Sequence, residues 1–420
     1  MKEYIPRIVD DVLKNKLEYI GAVLIEGPKW CGKSTTAKRF SKSCIEFQDP
    51  DRKVQYDKIN QTKPSLFLQG DKPRLFDEWQ MYPVIWDSIR CDLDRTGDVG
   101  QYLLTGSARP NEDSVMHSGT GRFSKLLMRT MSLYESGESD GSVSLKDIFD
   151  GKEVSSTSNL DFDGILNAIM RGGWPGALKI SGDNKYNIPK DYVKSLLTEE
   201  IKTVDGSQRN SIKMEAVLKS ISRNISTSVS KATILDDVKN VFASEIARPT
   251  LDDYLSTLEK LYILEYIPAT NLNLRSKTPL RTSPKIEFVD PSIAVATLNL
   301  KKEDLINDLN YTGFLFENMC MRDLKIYADA INARLSYYRD KNDFEVDAII
   351  ELEDGKWGAI EIKLGGDEIP EAINNLNKLK SNVDVSKFGS PSFLMVLTGG
   401  NYSYKTDDGI YIISIGNLKN

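Results

Sequence analysis

Histidine is nearly missing from this chain: there is one, His117, among 420 residues. That leaves no basis for a Ser/His triad or a multi-histidine metal site. His117 itself sits in a polar, Gly- and Ser-rich stretch and reads as a solvated loop residue. Cysteine is scarce too. Cys31, Cys44, Cys91 and Cys320 form no CxxC pair, which excludes a disulfide framework and a thiolate zinc site and points to a reducing cytoplasm. Positive charge is not in excess. With a formal net charge of -6, no overall basic field draws nucleic acid to the surface, so any such contact needs a local patch. No apolar run approaches the ~18–20 residues of a membrane span. The opening MKEYIPRIVDDVLKNK is charged where a secretion signal would be apolar. A cytoplasmic protein with no membrane partner is expected. Repeats and long low-complexity tracts are lacking as well. The nearest thing, ESGESDGSVS at 135–144, reads as a solvated loop.

What is present is ordinary in bulk and specific in detail. Hydrophobic residues at 40% and charged residues at 28% fit a globular protein. The length suggests about two to four domains at ~100–200 residues each. Near the start, Ala22 to Ile25 form a short continuous apolar run, as a buried parallel strand should. Gly27-Pro28-Lys29-Trp30-Cys31-Gly32-Lys33-Ser34 then matches GxxxxGK[ST] without a mismatch, and Thr35 onward continues as a helix. The chemistry requires these residue types. Gly27 and Gly32 let successive backbone N–H groups turn toward phosphate oxygens. The helix start adds its dipole. Lys33 reaches the β- and γ-phosphates of ATP, and the Ser34 hydroxyl ligates Mg²⁺.

Two further strands follow. Arg74-Leu75-Phe76 ends in Asp77 and Glu78. Asp77 is placed to hold magnesium through water, and Glu78 to orient and deprotonate the attacking water. Gln101-Tyr102-Leu103-Leu104 runs into Thr105-Gly106-Ser107, where Ser107 is expected to sense the γ-phosphate. Arg122, in GTGRF, reads either as an arginine finger or as a solvated loop residue. A finger donated by a neighbouring copy would make the protein a homo-oligomer.

These segments, PRIVDDVL, AVLIEGPKWCGKSTTA, LFDEWQMYP and YLLTGSAR, resemble the AAA-type ATPases that carry a C-terminal domain of the DUF4143 type. Gly172-Gly173-Trp174-Pro175 and Phe288-Val289-Asp290 are later landmarks of the same resemblance. It extends over nearly the whole chain.

The middle reads as helical. Residues 151–210 are expected to form a helical lid beside the nucleotide. Residues 211–285 show helix, polar turn, helix and a third helix through Leu251, Tyr254, Leu255, Leu258 and Leu261, then the strand-like Tyr262–Pro268. That order suggests a winged helix, which the resemblance also implies. Its seven basic residues in 211–262 are matched by seven acidic ones, unlike a typical base-reading helix.

A second constellation lies near the C-terminus. Phe314 to Leu324 is an amphipathic helix bearing Glu317. Phe344–Ile350 and Trp357–Lys363 are strands flanking the turn signal Asp354-Gly355. Period-2 alternation puts Glu361 and Lys363 on one face. A two-residue turn at 354–355 would pair residue 347 with 362, so bringing Asp347 opposite Glu361 demands an irregularity. The spacing resembles the PD-(D/E)xK nucleases. That resemblance implies Glu317, Asp347 and Glu361 as Mg²⁺ ligands and Glu361 with Lys363 as catalytic residues. The expected architecture is therefore α/β. A P-loop parallel sheet (1–150) is followed by the lid and the winged helix. A restriction-endonuclease-like α/β domain (286–420) ends the chain. The expected function is ATP hydrolysis coupled to action on nucleic acid, DNA ahead of RNA. The alternative is a switch ATPase with a non-cleaving C-terminal module.

Overall fold

The computed structural model describes residues 4–106, 119–201, 209–242, 244–270, 284–340 and 344–420. The contacts divide the chain into two compact units. One comprises the described residues of Met1–Thr130, Glu200–Gln208 and Thr257–Tyr262, and the other those of Met131–Glu199, Arg209–Ser256 and Ile263–Asn420.

The first unit is built on short apolar segments that become strands: β1 (Ala22–Glu26), β2 (Ser43–Glu46), β3 (Arg74–Asp77), β4 (Tyr102–Gly106) and β5 (Phe123–Leu127). They pair in the order β2-β3-β4-β1-β5, and every pairing is parallel. A parallel sheet is covered on both faces, which is why β1 and β4 are apolar without alternation and buried throughout. Helix α1 (Val9–Tyr19) precedes the sheet, and α2 (Lys33–Phe40) follows β1 directly. Because all five strands run the same way, β1, β3 and β4 deliver their C-terminal residues to one edge, the usual ligand edge of an open α/β sheet.

One side of that sheet carries an aromatic core. Phe47 is packed by Tyr82 at a ring-centroid distance of 4.9 Å, Tyr56 at 5.4 Å and Phe67 at 5.5 Å. Trp86 stacks on Phe123 at 3.8 Å.

The second unit holds an eight-stranded mixed sheet. Its order is Ser155–Thr157, Tyr402–Lys405, Tyr411–Ser414, Phe393–Thr398, Trp357–Lys363, Glu345–Glu351, Arg334–Arg339 and Ala269–Thr270. Helix Leu309–Ala330 packs on strands Arg334–Arg339 and Trp357–Lys363. The middle segment is helical: Phe162–Arg171, Asn187–Ser195, Ser211–Arg223, Lys231–Asn240 and Arg248–Lys260. After the last of these, strand Leu264–Ile267 pairs antiparallel with Lys285–Phe288. Three helices and then a strand is the element order expected for that stretch; the partner strand Lys285–Phe288 is an addition.

Residues 131–199 belong with the second unit, so its compact body begins before the boundary expected at residue 150. The reason is long-range strand pairing. Val143–Ser144 pairs with Leu418–Lys419, and Ser155–Thr157 with Tyr402–Tyr404. Consequently 135–144 is not the solvated loop its composition suggested. Glu135 and Ser139 are buried. Ser139 Oγ donates to the Leu418 carbonyl at 2.8 Å, and Asn417 Nδ2 donates to Asp140.

The two later landmarks meet in this unit. Gly173 N–H donates to Asp290 Oδ2 at 2.8 Å and Trp174 Nε1 to Ser292 Oγ at 2.9 Å. A Cβ on Gly173 would lie 2.1 Å from the Met131 carbonyl oxygen, so only glycine fits. Buried Arg322 pairs with Asp290 at 3.2 Å and with Asp323 at 2.8 Å, and Asp323 also accepts from Leu133 N–H.

Among the described residues, no helix is long and apolar enough to cross a membrane. Phe47→Ala should destabilise the first unit by about 3–5 kcal/mol, the usual cost of deleting a buried aromatic. A denaturant titration that follows Trp79 and Trp86 fluorescence should show the midpoint falling at unchanged slope.

Candidate functional site

The motif 27–34 is the turn between β1 and α2. Gly27 has φ +149°, and a Cβ there would lie 2.1 Å from the Met128 carbonyl oxygen. Gly32 has φ +106°. Both positions therefore need glycine. Lys33 is buried, and its ammonium donates to the carbonyls of Gly27 at 2.9 Å and Pro28 at 2.8 Å. Ser34 Oγ donates to Asp77 Oδ1 at 2.7 Å. The start of α2 and the end of β3 are thus joined where the sequence reading placed magnesium.

A further residue completes this corner. The Thr105 hydroxyl, near the end of β4, donates to the same Asp77 Oδ1. Its oxygen also accepts from Glu78 N–H at 3.3 Å. Glu78 stands at φ +56°, and its carboxylate accepts from the Gln80 amide. The sequence pattern assigned the polar role at this edge to Ser107 and not Thr105; Ser107 lies outside the described residues, as does His117. The available signal was a hydroxyl closing an apolar run at the ligand edge.

Other motif residues contribute less through their side chains. Cys31 is buried with Sγ on the Met128 carbonyl at 3.3 Å, so only its main chain can face a ligand. Lys29 is ion-paired with Glu200. Trp30 and Thr35 are exposed. Arg122 does not serve this site from within its own chain. It precedes β5, and its carbonyl accepts from Ala22 N–H at the opposite end of β1. At ~3.3 Å per residue, that is a full strand length from Gly27. Its Nε instead pairs with Asp94 at 2.6 Å.

The residues present fit ATP with magnesium. A glycine-only turn, a buried ammonium beside it and two adjacent oxygen ligands are what a nucleoside triphosphate with its cation requires.

In the second unit, strands Glu345–Glu351 and Trp357–Lys363 pair in the register Ala348↔Ile360 to Glu351↔Trp357. Continued by one residue, that register sets Asp347 opposite Glu361. The expected irregularity is the turn itself: Leu352 N–H donates to the Lys356 carbonyl at 2.8 Å, closing a loop of Glu353, Asp354 and Gly355. Gly355 takes φ +85°, as three-residue hairpin loops require. Asp347 Oδ2 accepts from Ile362 N–H at 2.8 Å, and Lys363 Nζ lies 3.2 Å from Glu361 Oε2.

Lys285 and Glu345 join this cluster. The Lys285 side chain is 2% exposed, and its ammonium lies 3.1 Å from Glu317 Oε1 and 2.5 Å from Glu345 Oε1. Burial pulls this ammonium down, but Glu317, Asp347 and Glu345 hold it well above the ordinary lysine range. Burial, reinforced by Asp347, pushes the Glu361 carboxyl up to about 8. Burial likewise pushes Glu317 up to about 8 against the pull of Lys285. Sequence reading missed both added residues. Lys285 opens its strand, KIEF, as the lone cation, and Glu345 shares Asp347's strand face at spacing two.

Among the described residues, no three His, Cys, Asp or Glu side chains gather closely enough to hold a metal ion. Glu317 is paired with Lys285, Asp347 accepts from Ile362 N–H and Glu361 is paired with Lys363, so the described geometry is a lysine-neutralised cluster. Glu361 Oε1 alone of its acceptors is buried without a hydrogen-bond partner.

Comparison with known proteins assigns the segments. Residues 20–137 match the family described as an AAA domain, 163–304 the domain of unknown function DUF8612, and 312–418 the domain of unknown function DUF4143. A solved Walker-type ATPase of Pyrococcus abyssi is similar at 15% identity over 69% of this chain and 94% of its own, with a TM-score of 0.42. No curated protein matches the sequence. The chain thus joins an N-terminal AAA-type P-loop ATPase domain to a DUF8612 middle segment and a C-terminal DUF4143 domain.

Proposed function

We propose that this protein hydrolyses ATP at residues 27–34 and uses the nucleotide cycle to control a C-terminal domain that acts on nucleic acid, DNA ahead of RNA. The observation that carries the first half is the contact of Ser34 Oγ with Asp77 Oδ1 at 2.7 Å. A hydroxyl oxygen from the start of α2 and a carboxylate oxygen from the end of β3 meet there beside a buried lysine, the arrangement a magnesium–phosphate site uses. When bound, magnesium supplies positive charge to the phosphate oxygens, and Ser34 and Asp77 are the residues that would hold it. Lys33 leaves its two carbonyl partners to neutralise phosphate. Thr105 fixes the Asp77 carboxylate and the Glu78 backbone together. Glu78 takes the proton of the attacking water.

Two readings of the C-terminal cluster remain, each with its own support. Cleavage of a phosphodiester is supported by the register that sets Asp347 against Glu361 with Lys363 beside it. A non-cleaving binding module is supported by Lys285, which already neutralises Glu317 and Glu345.

Three measurements test this. Lys33→Ala should lower ATP turnover by at least about 100-fold, the usual loss for a charge aimed at the transition state; undiminished hydrolysis would remove the assignment. Thr105→Val should lower kcat about 10-fold, as one lost charge-assisted hydrogen bond implies, and leave ATP affinity within about twofold. Linear, branched and single-stranded DNA and RNA should then be offered with Mg²⁺ or Mn²⁺, with and without ATP. Cleavage that disappears in the Asp347→Ala/Glu361→Ala double variant selects the first reading. Salt-sensitive DNA binding without cleavage selects the second, and neither activity would overturn the nucleic-acid proposal.

A further inference from the structure

The segment before the sheet holds the phosphate loop at Cys31 and the helix that follows it at Thr36. Arg7 is buried, at 7% exposure. Its Nη1 donates to the Cys31 carbonyl at 2.9 Å, and its Nη2 donates to the Arg129 carbonyl at 3.0 Å. One guanidinium therefore bridges the loop and the chain just beyond β5. Arg7 is itself placed by its neighbours. Its backbone N–H donates to Asp10 Oδ2 at 3.0 Å, and Tyr4 Oη donates to Asp10 Oδ1 at 2.6 Å. The same Tyr4 hydroxyl lies 3.0 Å from Thr36 Oγ1 in the first turn of α2.

We propose that Arg7 is a positioning residue of the nucleotide site, which aims the Gly32 N–H into the phosphate cradle by holding the Cys31 carbonyl. Among the described residues, the cis peptide bond is Lys72-Pro73, so the Cys31-Gly32 bond is trans. In a trans peptide the C=O and the next N–H point in opposite directions and cannot turn independently. A carbonyl held on the Arg7 side of the loop fixes an N–H on the other side. A phosphate cradle works through the directions of such N–H groups, so a peptide free to rotate would weaken it. Cys31 is held a second time through its thiol on the Met128 carbonyl at 3.3 Å. Gly32, at φ +106°, has the backbone freedom that makes an external restraint useful. Arginine suits the task because its planar fork spans two carbonyls at once, whereas lysine offers a single point of charge.

The test compares ADP affinity with catalysis in the full-length chain. ADP binding to Arg7→Ala is measured by calorimetry well below the variant's own melting temperature, so that only folded protein is scored. The expected result is an ADP Kd raised about 10-fold, the loss of roughly one well-aimed hydrogen bond. The KM for ATP should rise in parallel, with kcat kept within about threefold, because the cradle binds ground and transition states alike. Folded Arg7→Ala that binds ADP within about twofold of the natural protein would overturn the proposal, as would a fall in kcat at unchanged ADP affinity. If Arg7→Ala does not fold, Arg7→Lys serves instead, since it keeps the charge and stem but cannot hold both carbonyls. At least about threefold weaker ADP binding is expected there, and natural affinity would equally reject the role.

Discussion

The second unit depends on a buried charge that must be answered. Arg322 and its partners Asp290 and Asp323 are all but fully buried. Burial pulls the guanidinium down, and the two carboxylates hold it above its ordinary value. An ionised group in a dry interior is tolerable only when paired and hydrogen-bonded. Meeting that demand brings several distant segments together. Asp290 reaches back to Gly173, Asp323 reaches Leu133 N–H, and Arg322 sits on the helix that also bears Glu317. The landmarks that identify the later part of the chain are therefore structural. They hold the turn at 172–175, the chain after strand Lys285–Phe288 and the helix that bears Glu317 together.

The first unit is ordered by direction and not by charge. Five parallel strands place Gly27, Asp77 and Thr105 on one edge without any of the three being near another in sequence. The local motif then refines the chemistry. Two glycines admit backbone angles that other residues resist, and a buried lysine waits on carbonyls that phosphate can replace.

Sequence reading succeeded where the determining contacts are local. The phosphate loop is set by spacing within eight residues. The hairpin register followed from the mismatch between a two-residue turn and the pairing of Asp347 with Glu361. Where partners are distant, the reading failed. The acidic, Gly-rich stretch 135–144 looked solvated because its partners lie near residue 418, and no local pattern reveals a pairing across such a distance. Arg122 allowed two readings, finger or solvated loop residue, because its place before β5, at the far edge from the phosphate loop, depends on strand direction. For Lys285 the signal was weak: a lysine opening a strand is normally exposed, and only the three-dimensional meeting with Glu317 and Glu345 makes it a buried counter-ion.

The pairing of Ser155–Thr157 with Tyr402–Tyr404 also has a temporal meaning. During synthesis the first unit's sheet is complete once β5 has emerged. The second unit's edge strand must wait for a partner about 245 residues later, since Thr157 pairs with Tyr402. At ~5–20 residues per second that is about 12–50 s. Through that interval the stretch has an unsatisfied backbone edge, and its Ser-Ser-Thr sequence offers little apolar surface to a wrong partner. The weak stickiness of this strand suits an edge pair whose two strands are synthesised about 245 residues apart.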